Sequence, residues 1–190
     1  RRRMDIVSNV EILVGHDSFD ESRKAINSLQ ALTENELMSG PFSWVGTHSG
    51  TGVKVKVRFC KSEHFEKELI KTTGSIKHLN FKLDNGVKLK DSISTSVVKS
   101  EEDFYQTLGL PYIAPELREG TFELEAAIKK ELPTLVEMGD LKGILHNHST
   151  YSDGKHTLRQ MAEHCKELGY EYLGISDHSQ TAVYASGLYE

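Results

Sequence analysis

Leu145-His146-Asn147-His148-Ser149-Thr150-Tyr151-Ser152-Asp153-Gly154 decides how the end of this chain is read. Leu141 to His146 reads as a strand, Leu158 to Leu168 as a helix and Tyr172 to Ser176 as a second strand, a βαβ pattern that begins at Asp140. Thr157 and Gln160 have capping-box spacing at the helix start, and Gly169 sits where a left-handed terminator is favoured. Both strand ends carry polar chemistry: His146-Asn147-His148 with Ser152-Asp153-Gly154 at the first, Asp177-His178-Ser179 at the second. In βα architectures the C-terminal strand ends form the site face.

Histidines at i and i+2 of a strand project to one side, so His146 and His148 can share one cation or bind an adjacent pair. Asp153, returned by a glycine turn, adds an oxygen, and His178 arrives from the neighbouring strand. Mixed nitrogen and oxygen donors suit Zn²⁺, Mn²⁺ or Fe²⁺ rather than Ca²⁺. A lone H-x-H pair is weak evidence, since surface histidines account for most such pairs. Three motifs at two successive strand ends are much stronger. His156, beside a helix cap, and His164, mid-helix, are expected to face solvent.

Working back from Asp140, Phe122 to Leu132 is rich in Glu, Ala and Lys and reads as a connecting helix ended near Pro133. Ser100 opens a short helix with Phe104 and Leu108 inward and Gly109 at its end, followed by a loop stiffened by Pro111 and Pro115. From Ser62 a helix is expected, with Phe65, Leu69 and Ile70 as its apolar stripe and Gly74 as its stop. Ser75 caps a second, whose core face is Ile76, Leu79 and Leu83 up to the Asn85-Gly86 turn. Earlier still, Val53, Val55, Val57 and Phe59 alternate with Lys54, Lys56 and Arg58, the pattern of a strand with one buried face. Gly50-Thr51-Gly52 joins it in a hairpin to a strand over Phe42 to Thr47. Ser8 to Val14 reads as a buried strand and Ser18 to Leu32 as a helix.

Composition narrows the class. The chain has 190 residues, 27% charged and 37% apolar, enough for one core or two small ones. No apolar run approaches the roughly eighteen residues of a bilayer span, and Arg1-Arg2-Arg3 leads into no apolar signal core, so neither membrane insertion nor export is expected. Cys60 and Cys165 match no metal or redox spacing, and reduced thiols in the cytoplasm are the expectation. A net charge of −5 excludes a uniformly basic nucleic-acid binder but not a local basic surface. The first residue is not methionine and the sequence ends soon after a strand, so a fragment is expected.

Leu145 to Gly154, with Ser176-Asp177-His178-Ser179, resembles the first two motifs of the polymerase and histidinol phosphatase (PHP) domain. The resemblance implies a distorted (β/α)7 barrel holding a trinuclear metal cluster that hydrolyses phosphoesters, with His146, His148, Asp153 and His178 as ligands. The family's remaining ligands come from later strands and have no counterpart before Glu190, so an incomplete cluster is expected.

Upstream, Leu108-Gly109-Leu110-Pro111-Tyr112-Ile113-Ala114-Pro115-Glu116-Leu117-Arg118-Glu119 is similar to the thumb signature of the bacterial family X DNA polymerases that carry a C-terminal PHP domain. Thr73-Gly74-Ser75-Ile76-Lys77-His78 matches that family's nucleotide-facing turn less fully, with Lys71-Thr72 where the family has Tyr-Phe. The resemblance implies an α+β polymerase palm and thumb followed by the start of an α/β PHP barrel: palm over 1–61, thumb over 62–121, linker helix over 122–139 and PHP over 140–190. It also implies DNA as partner, at gaps or 3′ ends, a cytoplasmic, nucleoid-associated location, and Thr73, Gly74 and Ser75 at the nucleotide. Arg1 and Arg2 match arginines that would face triphosphate or DNA; a solvated cationic end is the competing reading.

Two-metal phosphoryl transfer needs carboxylates at i and i+2 of one strand and a third on its neighbour, holding two Mg²⁺ ions. The family supplies three Asp residues. The corresponding positions here are Asn9, Glu11 and Lys56, and an ammonium in place of the third carboxylate repels the cations it would have to help bind, by an energy on the order of kcal/mol at a few ångströms. The polymerase site is therefore expected to be inactive and without Mg²⁺. Three readings follow: a repair protein whose palm and thumb serve a PHP phosphoesterase or 3′-5′ exonuclease, an active gap-filling polymerase, and a small-molecule PHP phosphatase.

Overall fold

The computed structural model describes residues 1–4 and 7–189. The chain forms two compact units, Arg1–Leu132 and Pro133–Glu190. No helix among the described residues is long and apolar enough to cross a membrane.

The first unit opens with a four-stranded sheet. Strands β1 (Asn9–Gly15), β2 (Leu32–Glu34), β3 (Ser43–His48) and β4 (Lys54–Cys60) lie in the order β1-β4-β3-β2, with β1 parallel to β4 and the other pairs antiparallel. The alternation along β4 is realised from Val55 onward: Val55, Val57 and Phe59 are buried with Trp44, and Phe19 and Ile26 of helix α1 (Phe19–Asn27) pack on them, whereas Val53 precedes the strand and is exposed. Ser18 caps α1 by accepting from the Glu21 amide at 3.3 Å. The helix ends at Asn27 rather than continuing to Leu32, because the Asn27 side chain accepts from the Trp44 indole N–H at 2.7 Å and Leu32 pairs with His48 in the sheet instead.

The remainder of this unit is helical: α2 (Phe65–Thr73), α3 (Ile76–Asn80), α4 (Leu89–Thr95), α5 (Glu101–Thr107) and α6 (Glu123–Lys129). They enclose a second core of Ile70, Leu89, Ile93, Phe104, Ile113 and Leu124. Ser75 and Ser100 cap α3 and α5 as their sequence positions predict. Several expectations fail. Strand β1, read as buried, lies at the edge of its sheet with Val10 and Ile12 exposed. Ile76 is 80% exposed, because α3 makes little more than one turn and buries Leu79 and His78 instead. Helix α4, for which the sequence offered only Leu89, Ser92 and Ile93 among polar residues, is an additional element. The α6 segment, expected as a connection, is packed into the core through Leu124 and Ala127.

The second unit contains β5 (Gly143–Asn147), α7 (Leu158–Glu167) and β6 (Tyr172–Ile175), with β5 and β6 parallel. Thr157 and Gln160 close the capping box on α7 reciprocally, and Gly169 terminates it at φ +77°. The strands run in register through Ile144 and Leu173, after which Leu145 and His146 together oppose Gly174. That extra residue is a bulge, and His146 occupies it at φ +61°.

Candidate metal centre and polymerase-type surface

The parallel pairing of β5 and β6 brings their C-terminal ends together, and the loops that leave them carry the polar motifs. His148 Nδ1–H donates to Asp153 Oδ1 at 2.9 Å, and His178 Nε2 lies 3.7 Å from Asp153 Oδ2. One donor atom from each of His148, Asp153 and His178 lies within 4.8 Å of the others. The His148 and His178 rings meet edge to face at 4.4 Å between centroids. The hydrogen bond from His148 first, with backbone donation beside it, holds the Asp153 carboxyl below its ordinary range, so it is an anion at neutral pH. His146 stands beside this trio, its ring 5.4 Å from that of His148, but the bulge leaves its donor atoms outside the trio.

The loop holding Asp153 is fixed by Asp177, a residue of the second strand-end motif to which the sequence assigns no role of its own. Asp177 Oδ1 accepts from the Ser149 amide at 2.7 Å and from the Ser152 hydroxyl at 2.6 Å, while Oδ2 accepts from the Ser149 hydroxyl at 2.6 Å. Ser149 is fully buried, and its carbonyl accepts from the Gly154 amide at 2.9 Å. Gly154 is required there: a Cβ would lie 1.9 Å from the His148 carbonyl oxygen. Asp177, one residue before His178, thus ties the two strand ends together, and its three hydroxyl and amide donors hold its carboxyl below the usual range. The residue type alone did not separate Asp177 from a metal ligand; its adjacency to His178 was the signal.

Two imidazoles and a carboxylate converging in this way suit a borderline divalent cation such as Zn²⁺, Mn²⁺ or Fe²⁺. His148, Asp153 and His178 fit such an ion; the position of His146 beside them suits a ligand to an adjacent one.

The residues expected at a polymerase site sit on the opposite face of the first sheet from its core. Asn9 aligns with Lys54 and Glu11 with Lys56 across the β1–β4 pair. The Glu11 carboxylate is held by the Asn9 amide at 3.2 Å and by Arg58 at 3.5 Å. A cleft of about 540 Å³ opens beside them, with Arg58, Thr72 and Thr73 in its wall together with Arg1, Arg2 and Arg3. Those arginines are paired: Arg1 with Glu101, Arg2 with Glu119 at 2.8 Å and Arg3 with Glu116 at 3.0 Å. Binding of phosphate by Arg1 or Arg2 therefore has to compete with a carboxylate. Thr73 accepts from Arg1 at 3.2 Å, Gly74 ends α2 against His78, and the Ser75 side chain caps α3 while its amide donates to the Arg118 carbonyl at 2.9 Å.

Behind this surface lies a buried polar network invisible to periodicity. Arg118, fully buried, donates to Glu101 at 2.6 Å and to the Ile113 carbonyl at 2.9 Å, and its guanidinium lies 5.2 and 5.5 Å from the Tyr105 and Tyr112 ring centroids. His78 bridges Glu123 at 2.7 Å and the Tyr105 hydroxyl at 3.0 Å. A neutral imidazole satisfies both, with Nδ1–H donating to Glu123 and Nε2 accepting from Tyr105. Burial favours that form and lowers the His78 pKa. Burial alone would raise Glu123, but donation from His78 and from the Gly120 and Thr121 amides outweighs it and keeps the carboxyl ionised.

Comparison with known proteins accounts for both units. The family model described as the DNA polymerase beta thumb matches residues 59–119, and that of the PHP domain matches residues 145–188. A polymerase beta-type thumb followed by a PHP domain is a recognisable class of protein. Among curated proteins, the DNA polymerase/3′-5′ exonuclease PolX of Bacillus subtilis (strain 168) is 39% identical over 146 residues, covering 70% of this chain and 25% of that protein. The chain belongs to the bacterial family X DNA polymerases that carry a PHP domain, and spans about a quarter of the length of the curated relative it matches.

Proposed function

We propose that this chain is part of a cytoplasmic DNA-repair protein whose PHP domain hydrolyses phosphodiesters at DNA 3′ ends, while its palm and thumb bind DNA without polymerising it. The observation that carries the reading is the convergence of His148, Asp153 and His178 at adjacent strand ends. Divalent metal held there would polarise the phosphate and lower the pKa of a bound water, supplying hydroxide at neutral pH. His148 and His178 offer imidazole nitrogens from two strand ends, Asp153 offers anionic oxygen, and Asp177 with Ser149 and Ser152 keeps the loop from drifting away from β6. Completion of a (β/α)7 barrel by further strands would add the remaining ligands and close the site.

Palm over 1–61, thumb over 62–121, linker over 122–139 and PHP over 140–190 remain the proposed domains. In the palm, Asn9, Glu11 and Lys56 offer one carboxylate in place of three, and Arg58 already pairs with it. A second reading, an active gap-filling polymerase, is favoured by the thumb match and by the similarity to a DNA polymerase/3′-5′ exonuclease. The full-length protein separates the two on gapped DNA carrying a labelled 3′ end, with Mg²⁺ or Mn²⁺ and one matching nucleotide. Shortening of the label without insertion is the expected result, and robust insertion would overturn the inactive-polymerase reading. Turnover of a small phosphomonoester in preference to DNA would point to the phosphatase class instead.

A further inference from the structure

On the solvent face of the first sheet, β4 presents Lys54, Lys56 and Arg58 at alternate positions. Alternation places successive charges about 6.7 Å apart on one side of an extended strand. Parallel pairing puts Asn9, Glu11 and Leu13 beside them from β1, and antiparallel pairing puts Thr47, Val45 and Ser43 on their other flank from β3. Glu11 is the single carboxylate in those three rows; it accepts from the Asn9 amide at 3.2 Å and, of the three cations, pairs with Arg58, at 3.5 Å. Three cations against one anion thus occupy one sheet face of a chain whose net charge is −5. The Arg58 end of the row continues into the cleft that Arg1, Arg2 and Arg3 help to line. Neutral hydroxyls of Ser43 and Thr47 flank the row without adding negative charge.

We infer that the Lys54-Lys56-Arg58 row is a metal-independent binding surface for the phosphodiester backbone of DNA, its fixed cations standing where a catalytic palm would recruit divalent ions. The inference rests on the family assignment and deepens the proposed function by naming what the inactive sheet holds. Two-metal sites bridge phosphate through ions gathered by carboxylates; here Lys56 occupies a carboxylate position and offers its charge directly. Phosphate contacts of this kind are indifferent to base sequence and act through release of condensed counterions, so their signature is the salt dependence of affinity. Divalent ions should compete with the surface instead of supporting it.

The test uses the 190-residue chain and fluorescence anisotropy of labelled single-stranded and duplex oligonucleotides, in EDTA, over a range of NaCl. The triple variant Lys54→Gln/Lys56→Gln/Arg58→Gln alters only solvent-facing side chains, and circular dichroism verifies its fold. A charge-matched control, Lys24→Gln/Lys129→Gln/Lys166→Gln, removes the same charge from exposed helical positions. Expected are binding retained in EDTA and weakened by millimolar Mg²⁺. In the triple variant, affinity falls about tenfold at low salt and the slope of log K against log salt becomes shallower by about 2 for single strands and about 2.7 for duplex. Absence of binding to DNA, loss of binding in EDTA, or an equal effect of the control variant would each overturn the inference. Because the hydrolytic reading is tested at His148, failure of one leaves the other standing.

Discussion

Arg118→Met removes a guanidinium from the centre of the helical core, and its cost can be worked from the contacts. Arg118 is fully buried and binds Glu101 at 2.6 Å; Glu101 is itself 95% covered and keeps Arg1 as its other cation. Breaking a buried ion pair on one side costs about 3–5 kcal/mol, because the remaining charge is left in a poorly solvating site. Loss of cation–π contact with Tyr105 and Tyr112 adds about 1 kcal/mol. Retention of Arg1 and the better solvation of methionine in an apolar core offset part of this, for a net loss of about 3 kcal/mol. At a urea m-value of about 2 kcal/mol/M, the midpoint falls by about 1.5 M. Far-UV circular dichroism is the appropriate probe, since α2 to α6 surround Arg118 whereas the single Trp44 reports the sheet core. The double variant Arg118→Met/Glu101→Leu removes both charges and should recover most of the loss, as replacement of buried pairs by apolar residues often does. A midpoint shift below about 0.3 M for Arg118→Met, or a double variant no more stable than the single one, would refute this account of the core.

Acidification should destabilise the first unit: burial lowers the His78 pKa from its ordinary 6.5, so below that pH the unfolded chain takes up a proton the native state resists. Glu101 and Glu123, both lowered from 4.5, extend the loss at more acid pH. Urea midpoints at pH 7.5 and 5.5 check the sign; the midpoint should be lower at 5.5, and the difference should shrink in His78→Gln. Asp177→Asn replaces one acceptor oxygen with a donor facing Ser149 or Ser152, and should weaken Mn²⁺ binding by the roughly 10–100-fold typical of residues that orient ligands. Isothermal titration checks this, and unchanged affinity would remove Asp177 from the positioning role. Gly154→Ala forces the His148 carbonyl away from a new methyl group and should impair metal binding comparably while leaving α7 helical, read by the same titration and by circular dichroism.

Much of the secondary structure was legible because single faces are buried. The β4 alternation predicted Val55, Val57 and Phe59 inward, and the Thr157–Gln160 pair marked the start of α7. Proximity of His148, Asp153 and His178 was also legible, since adjacent parallel strands end together. The bulge at His146 was not: it depends on pairing with β6, and nothing in Leu145-His146-Asn147 announces the positive φ. The Glu101–Arg118 and His78–Glu123 pairs join residues 17 and 45 positions apart, so no local periodicity reports them. Glu123 in particular resembles an ordinary first-turn helix acid, and only its enclosure by His78 and three amides reveals its part in the core. Helix α1 stops early because Trp44 claims the Asn27 side chain and β3 claims Leu32, both tertiary effects that override an otherwise helical spacing.

The central claim is that His148, Asp153 and His178 hold the metal that cuts DNA. Its most direct test is 3′-end trimming of a labelled oligonucleotide by the full-length protein and its His148→Ala variant, with bound metal quantified in the same preparations. The account predicts Mn²⁺-dependent trimming by the parent protein and a loss of at least 100-fold in the variant together with its metal, beyond the effect of removing an orienting residue. Trimming and metal content that survive His148→Ala would contradict it.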